Sequence, residues 1–467
     1  MGKDWENGYM RPPFGASPQP IIAGQASSLP AAIDSPTAWE QDGAEARQAG
    51  PSRIICALFY ALVLAIPFET LDIGISLTPS KLLGYLFFLA AMFQPRITLR
   101  RPPKAVFCFA LYLYAAIAIA IFQFDRYQDD ILTKLFASVQ MMVLLWLAYN
   151  MLRHERVLRL TLRTLALACV LLALLQLSGI ARTTFEEGGT HYRISTIGQN
   201  PNELAATLAI GFLALLGLAF SRDARLTALR YAAWPVLAVI PLAIVQTGSR
   251  GGILALTAGL LVYLLQGGTI WIKLRNALII LAAMGVVIWG ISQSEVAAMR
   301  WERALEKGNF AHRERLFPAA WEMFMERPVF GWGTTYNLVE LHRRVPLPVT
   351  ASLKRKMNVE QQDVQNVILW VLTETGLAGG IPFIIGVWLW LRAAWQARDG
   401  LYGALPLAMT ITMLQMNMSG AWLYRKLFWL LIAFALASAS QAALARARAR
   451  QQPLEPADGD LAPMITS

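Results

Sequence analysis

Long apolar runs recur along almost the whole chain and are separated by short polar segments. A helix needs about 20 apolar residues to cross a hydrocarbon core about 30 Å thick, and the runs are roughly 15 to 25 residues long. Only helices and closed barrels satisfy their backbone hydrogen bonds in that medium, and the runs lack the alternation of barrel strands. The pattern therefore predicts an all-α integral membrane protein.

The composition agrees with a membrane protein and argues against other classes. Hydrophobic residues make up 56% of the chain and charged residues 15%, whereas soluble domains carry about 25% charged residues. The formal charge of +11 would suit nucleic acid, but the basic residues lie in short loops between apolar runs. The three cysteines and four histidines lack metal-ligand spacing. We therefore expect no nucleic acid, no metal and no cofactor.

The apolar runs predict about twelve transmembrane helices. They are expected near residues 54–68, 82–94, 105–124, 131–151, 158–180, 203–220, 228–246, 252–266, 274–291, 366–391, 403–420 and 427–445. Alternate loops carry an excess of Lys and Arg. The positive-inside rule places those loops and both termini in the cytoplasm.

The same criteria divide the chain into five segments. Residues 1–52, rich in Pro, Gly, Ser and Ala, predict a disordered cytoplasmic tail, and residues 447–467 form a second cytoplasmic tail. Residues 53–291 carry the first nine helices and residues 366–446 the last three. The remaining residues, 292–365, form one large loop that is predicted to face the periplasm.

The large loop has helical and aromatic content. Amphipathic patterns predict helices from Ser294 to Lys307 and from about His312 to Glu326. Pro328 ends the second helix, and Gly331-Trp332-Gly333 predicts a turn. Loops of this length are usually functional or disordered. We interpret this one as a folded, partly helical cap.

Arg250 lies in a short loop, residues 246–252, that the predicted topology places on the outer side, where basic residues are disfavoured. The glycines around it would let the backbone approach a ligand, and its guanidinium suits phosphate oxygens. The structural alternative is an arginine that extends to the lipid headgroups. The local sequence leaves both interpretations open.

Two further segments contain polar candidates. Arg193 precedes a turn at Asn200-Pro201, and Asn202 is expected to cap the next helix. Arg193 is thereby a candidate phosphate ligand near a helix N-terminus. Glu374 lies within an apolar stretch, and a carboxylate inside a membrane is a functional candidate by default.

Five short motifs follow one another between about residues 185 and 385. They are Asn200-Pro201-Asn202, Arg250 with Leu254, Arg313 with Leu316-Phe317, the turn from Arg327 to Gly333, and Asn366 with Gly376-Leu377-Ala378-Gly379. In order, spacing and sidedness, they resemble the motifs of the O-antigen ligase and polymerase superfamily (WaaL/Wzy type).

The resemblance implies a glycosyltransferase of the bacterial inner membrane that acts at the periplasmic face. Its donor would be a glycan on undecaprenyl pyrophosphate, and its acceptor a second glycan or lipid A-core. No metal or nucleotide is implied. Arg193, Arg250 and Arg313 would bind the diphosphate, because donors aimed at developing charge are a large catalytic term. Asn202, Asn366 and Glu374 would complete the substrate site.

One motif departs from the family pattern. Gln365 occupies the position of a family histidine, and an amide cannot take a proton near neutral pH. Three explanations remain open. Another group acts as base, from the set His191, His312, Glu360, Asp363 and Glu374; or Gln365 only orients the acceptor; or the protein is an inactive assembly partner.

The leading hypothesis is a polymerase or ligase for surface polysaccharide, O-antigen or exopolysaccharide, with the missing histidine favouring polymerase. Membrane lipids and polysaccharide-assembly proteins are the other expected partners. The alternative is a transporter or flippase for the same lipid-linked glycan. Twelve spans suit a transporter, but the one-sided outer loop does not suit an internal repeat.

Overall fold

The computed structural model describes residues 50–71, 78–123, 127–187, 191–220, 227–265, 269–307, 313–345 and 363–451. Within these ranges the chain is almost entirely helical. The main elements are α1 (Arg53–Ala65), α2 (Pro79–Met92), α3 (Lys104–Ile121), α4 (Gln128–Leu152), α5 (Glu155–Ser178), β1 (Arg182–Glu187), β2 (His191–Thr196), α6 (Pro201–Phe220), α7 (Thr227–Gln246), α8 (Arg250–Val262), α9 (Ile270–Ser292), α10 (Glu295–Lys307), α11 (Arg313–Glu326), α12 (Tyr336–Arg344), α13 (Val367–Gln396), α14 (Leu405–Asn417) and α15 (Lys426–Gln451).

Seven of the described helices are long and apolar enough to cross a membrane, namely α3, α4, α5, α6, α9, α13 and α15. The chain is therefore a multi-pass membrane protein. Shorter apolar helices occupy the first, second, seventh and eighth predicted spans, and α14 occupies the eleventh. The count of twelve spans and the location of the large loop remain predictions.

Helix α6 forms the centre of the bundle. The protein buries 89% of its apolar window, against 22% for α9 at the periphery. Helices α5, α7, α8 and α14 pack around α6. A methyl group added at Gly252 of α8 would lie 2.4 Å from the Cβ of Ala205 in α6. Gly252 therefore serves close helix packing, not the approach of a ligand that the sequence suggested.

The structure also contains a β-hairpin that the sequence analysis missed. Strands β1 and β2 pair antiparallel between α5 and α6, with Phe185 opposite Arg193. Arg193, which was predicted to lie near a helix N-terminus, is therefore on a strand of this hairpin. The helix cap also differs from the prediction, because the side chain of Asn200 accepts the backbone N–H of Asn202.

Helix α13 is interrupted at Gly376, where φ is 58° and ψ is −150°. The break prevents Leu377 and Ala378 from donating to the helical carbonyls of Thr373 and Glu374. Their N–H groups instead donate to the carbonyls of Pro328 and Val329. This leaves the two carbonyls of α13 open to partners from the turn.

The turn at residues 328–333 fills the break in α13. The N–H groups of Trp332 and Gly333 donate to the carbonyls of Thr373 and Glu374, at 2.8 Å each. All four groups released by the interruption are thus satisfied within the protein, as burial requires. Two motifs that are 40 residues apart in the sequence therefore form one structural unit.

Candidate functional site

The loop before α8 joins three elements through a chain of polar contacts. The guanidinium of Arg193 on β2 donates to the carbonyl of Thr247 at 3.0 Å and to Oδ1 of Asn202 at 2.8 Å. The hydroxyl of Ser249 donates to the same Oδ1 at 2.9 Å. Arg193 and Asn202, both predicted substrate-binding residues, thus lie directly beside the loop that precedes Arg250.

Arg250 begins α8 and reaches α10. Its guanidinium donates to the backbone carbonyl of Arg300 at 2.9 Å. Ser249 caps this helix, with its Oγ accepting the N–H of Gly252. Arg250 therefore lies at a capped helix N-terminus, where anions are favoured.

Arg300, the residue that Arg250 contacts, was not identified by the sequence analysis. Its side chain is 8% exposed, which is unusual for an arginine. It follows the buried Ala297 by three residues and therefore lies on the buried face of α10. An arginine on the apolar face of a predicted amphipathic helix was the signal that could have revealed it.

Arg313 lies near Arg250 and Arg300. Its guanidinium donates to the carbonyl of Ser419 at 3.0 Å. Burial lowers the pKa of Arg313, and the charges of Arg250 and Arg300 lower it further. Mutual repulsion of this kind is relieved when an anion binds between the guanidinium groups.

Arg193 lies close to Arg300, with Gly248 between them. A methyl group added at Gly248 would lie 3.6 Å from Cδ of Arg300 and 4.0 Å from Nε of Arg193. The φ of Gly248 is +64°, so glycine suits both the backbone and the space. We call Arg193, Arg250, Arg300 and Arg313 the arginine cluster.

Two carboxylates lie at the edge of the arginine cluster. Glu203, at the start of α6, is hydrogen-bonded to Arg425 just before α15. Asp363 accepts the N–H of Gln365 at 2.7 Å. Burial raises the pKa of the Asp363 carboxyl, while the Gln365 N–H and then Arg313 and Arg425 oppose that rise.

Gln365 and Asn366 lie at the start of α13. Gln365 has a positive φ of 57°, a conformation that non-glycine residues rarely adopt. Asn366 caps α13, with Oδ1 accepting the N–H groups of Ile368 and Leu369. Its Nδ2 lies 4.0 Å from the sulfur of Met418, the residue before Ser419. Both residues are therefore next to the part of the site that contains Arg313.

Glu374 lies in a different network. Tyr112 of α3 donates to its Oε2 at 2.7 Å, and Thr334 donates to its Oε1 at 2.9 Å. Nearby, Lys134 of α4 donates to Thr335 at 3.0 Å. These contacts attach the turn at residues 328–333 to the bundle. The structure does not bring Glu374 together with the arginine cluster.

Several candidate bases lie beyond the described side chains. His312 and Glu360 fall outside the described residues, and so does the basic stretch around Lys354. His191 is on β2, but its side chain is not described. Among the described residues, no group of three or more His, Cys, Asp or Glu side chains could hold a metal ion.

The arginine cluster lies where several membrane helices begin. The N-termini of α6, α8, α13 and α15 contribute Glu203, Arg250, Asn366 and Arg425, and the contacts above connect all four. The predicted topology places these four ends on the same, outer side. The fold and site together define a multi-pass membrane protein with a cluster of arginines at one end of its helices.

Comparison with known protein families gives one similarity. Residues 234–384 match the model of the O-antigen ligase family (Wzy_C). The match confirms the resemblance to the O-antigen ligase and polymerase superfamily. The matched residues include Arg250, Arg300 and Arg313. They also include the break at Gly376 and the turn at residues 328–333, whereas Arg193 and Asn202 lie before them. No curated protein matches the chain.

Proposed function

We propose that the chain is a bacterial inner-membrane glycosyltransferase that uses a glycan on undecaprenyl pyrophosphate as donor. It would polymerise or ligate surface polysaccharide, O-antigen or exopolysaccharide at the periplasmic face. The observation that carries this proposal is the arginine cluster where four helix N-termini converge. A centre with this charge suits a diphosphate, because guanidinium groups bind phosphate oxygens in a bidentate manner.

The arginine cluster would act on the leaving group. When the bond between the anomeric carbon and the diphosphate breaks, its electron pair passes to the diphosphate oxygen. Guanidinium groups already held in place stabilise this additional charge without reorganisation. They would supply the stabilisation that a metal ion provides in other phosphate-handling enzymes.

Asp363 is the candidate that we favour as the acceptor-activating base. It is beside Arg313, whereas Glu374 is occupied with Tyr112 and Thr334. The acceptor hydroxyl would pass its proton to the Asp363 carboxylate as its oxygen bonds to the anomeric carbon. Gln365, whose N–H is bound to Asp363, would orient the acceptor.

A purified-protein assay tests the proposed function. Protein loaded with undecaprenyl-pyrophosphate-linked glycan should release undecaprenyl pyrophosphate and form a longer or transferred glycan. We expect Arg250→Ala to reduce this activity at least about 100-fold, as expected when a charge-stabilising donor is removed. Arg398→Ala is the matched control, since this residue is exposed and stacks on Trp395 at the predicted cytoplasmic side. Full activity of Arg250→Ala would refute the diphosphate assignment.

Gene deletion distinguishes polymerase from ligase. Loss of high-molecular-weight polymer would indicate a polymerase. Accumulation of lipid-linked polymer together with bare lipid A-core would indicate a ligase. Unchanged surface glycans would contradict both.

The break in α13 gives the transporter alternative one observation in its favour, because discontinuous helices often form transporter sites. In this protein, however, the turn at residues 328–333 fills the break. A flipping assay with reconstituted vesicles separates the two functions. Translocation of the glycan without release of undecaprenyl pyrophosphate would support the transporter and exclude the transferase.

A further inference from the structure

A groove lies between α1, α2 and α4, away from the arginine cluster. Its cavity volume is about 310 Å³, and its walls are almost entirely apolar. The principal lining residues are Leu62, Phe87, Phe88, Phe136, Leu144 and Leu147. Phe88 and Phe136 are also exposed on the outside of the bundle, at 38% and 60%. The groove is therefore open towards the surrounding hydrocarbon.

The charged residues of the groove lie at one end, whereas its other polar pair, Gln140 and Tyr85, is joined by a hydrogen bond of 2.8 Å. Lys81 lies in the first turn of α2, and Lys426 is the first residue of α15. The predicted topology places both helix starts at the outer surface. From there the groove extends past Gly84 to Leu147, which lies near the end of α4 that the predicted topology places towards the cytoplasm. It thus has a cationic entrance and a hydrocarbon interior.

The cationic entrance adjoins the proposed catalytic centre. Lys426 forms an ion pair with Glu69, and its neighbour Arg425 is bound to Glu203. Arg425 and Asp363 are close enough for their charges to interact. Lys426 in the groove is therefore connected, through its neighbour Arg425, to Asp363 beside Arg313.

We propose that this groove binds the polyprenyl chain of the donor while the diphosphate lies on the arginine cluster. The inference rests on the proposed function and adds a site for the lipid part of the substrate. The interior suits a hydrocarbon chain, and the cationic end of the groove is on the side where the arginine cluster would hold the diphosphate. The open side allows a chain longer than the cavity to continue into the bilayer.

Gly84 offers a direct test, because it lies in the groove wall and has space beside it. A methyl group added there would meet only Cδ1 of Leu62, at 4.0 Å. Gly84→Phe should therefore fill the groove without disturbing the backbone. Gly285→Phe is the control, because Gly285 is on the lipid-facing side of α9 with nothing within 4 Å.

Donor chain length provides the kinetic readout. We expect Gly84→Phe to reduce kcat/KM for the undecaprenyl donor about tenfold, corresponding to ~1.4 kcal/mol. A donor with only an ethyl group on its diphosphate should be unaffected. Equal reduction for both donors, or no reduction for either, would overturn the proposal. Absence of transfer by the wild-type protein with any donor would count against the proposed function instead.

Photolabelling tests the site independently of transfer. A diazirine-bearing undecaprenyl pyrophosphate should label α2 and α4 in the wild-type protein and in Gly285→Phe, but not in Gly84→Phe. Excess undecaprenyl pyrophosphate should prevent the labelling, and excess phosphatidylglycerol should not. Displacement by phosphatidylglycerol would identify a phospholipid site and overturn the assignment to the donor.

Discussion

At the scale of single residues, buried charge marks the candidate site. Arg300 is buried on the inner face of α10, and Asp363 is partly buried beside Arg313 and Arg425. Isolated buried charges are costly, so such groups persist where they are paired or functional. Arg250 and Arg313 were recognisable from the sequence because they stand in short motifs, and Arg193 because it precedes a predicted helix N-terminus. Arg300 became evident only once the faces of α10 were known.

The role of Asp363 predicts a change in the pH dependence of transfer. Burial raises the pKa of this carboxyl above its ordinary value, so activity should fall with acidity at a higher pH than an exposed aspartate would give. Asp363→Asn should reduce kcat by about 100-fold or more and abolish that acid limb. A pH profile of kcat measures both effects.

A second substitution separates catalysis from folding. In the Asp363→Asn protein, Gln365→His should restore part of kcat, because an imidazole at this position can accept the proton. If Asp363→Asn retains the acid limb, Asp363 is not the base. Gln365→Asn is the matched control, since it provides no titrating group.

Arg300 predicts weaker use of the donor when its charge is removed. Arg300→Ala should lower kcat/KM roughly 10- to 100-fold, corresponding to the loss of a charged hydrogen bond. Arg300→Lys should retain part of the activity because it keeps the positive charge. Arg315→Ala, at an exposed position on α11, is the control. Equal activity of Arg300→Ala and Arg315→Ala would exclude Arg300 from the site.

At the scale of structural elements, the broken helix and the turn at residues 328–333 depend on each other. Arg327 and Arg344 both lie over the ring of Trp332, at 4.0 and 5.4 Å from its centre. The indole also donates to the carbonyl of Met323 at 2.8 Å. The motifs around Pro328 and Gly376 therefore have a structural role, which is to join the turn to α13.

Gly376→Ala should destabilise the protein. A Cβ there would lie 2.5 Å from the carbonyl carbon of Val329, and the backbone conformation is one that glycine favours. We expect a loss of roughly 1 to 3 kcal/mol, the range for local backbone strain. Thermal unfolding in detergent measures it. Gly285→Ala should be neutral or slightly stabilising, and a similar result for Gly376→Ala would contradict the role of the break.

At the scale of the whole molecule, the convergence of helix N-termini agrees with the predicted topology. The starts of α6, α8, α13 and α15 meet around the arginine cluster, as alternation of the spans requires for ends on one side of the membrane. Agreement between charge distribution and packing is useful because the two were obtained from different properties of the chain. It supports a membrane-spanning role for the shorter helices α8 and α14.

Cysteine labelling tests this topology. In a protein whose three free cysteines (Cys56, Cys108 and Cys169) are replaced by alanine, Arg315→Cys should react with a membrane-impermeant maleimide added to spheroplasts. Arg398→Cys should react only after the membrane is opened. Labelling of both residues from the same side would mean that the span count between them is wrong.

The sequence by itself determined the membrane class, the positions of the helices and the candidate arginines at 193, 250 and 313. These properties depend on composition and local spacing, which one helix or loop expresses on its own. Tertiary structure alone decided that Gly376 and the turn at residues 328–333 form one unit, that Arg300 joins the cluster, and that Glu374 lies apart from it. Such relations depend on which helix faces meet, and local sequence does not specify the partner across that contact.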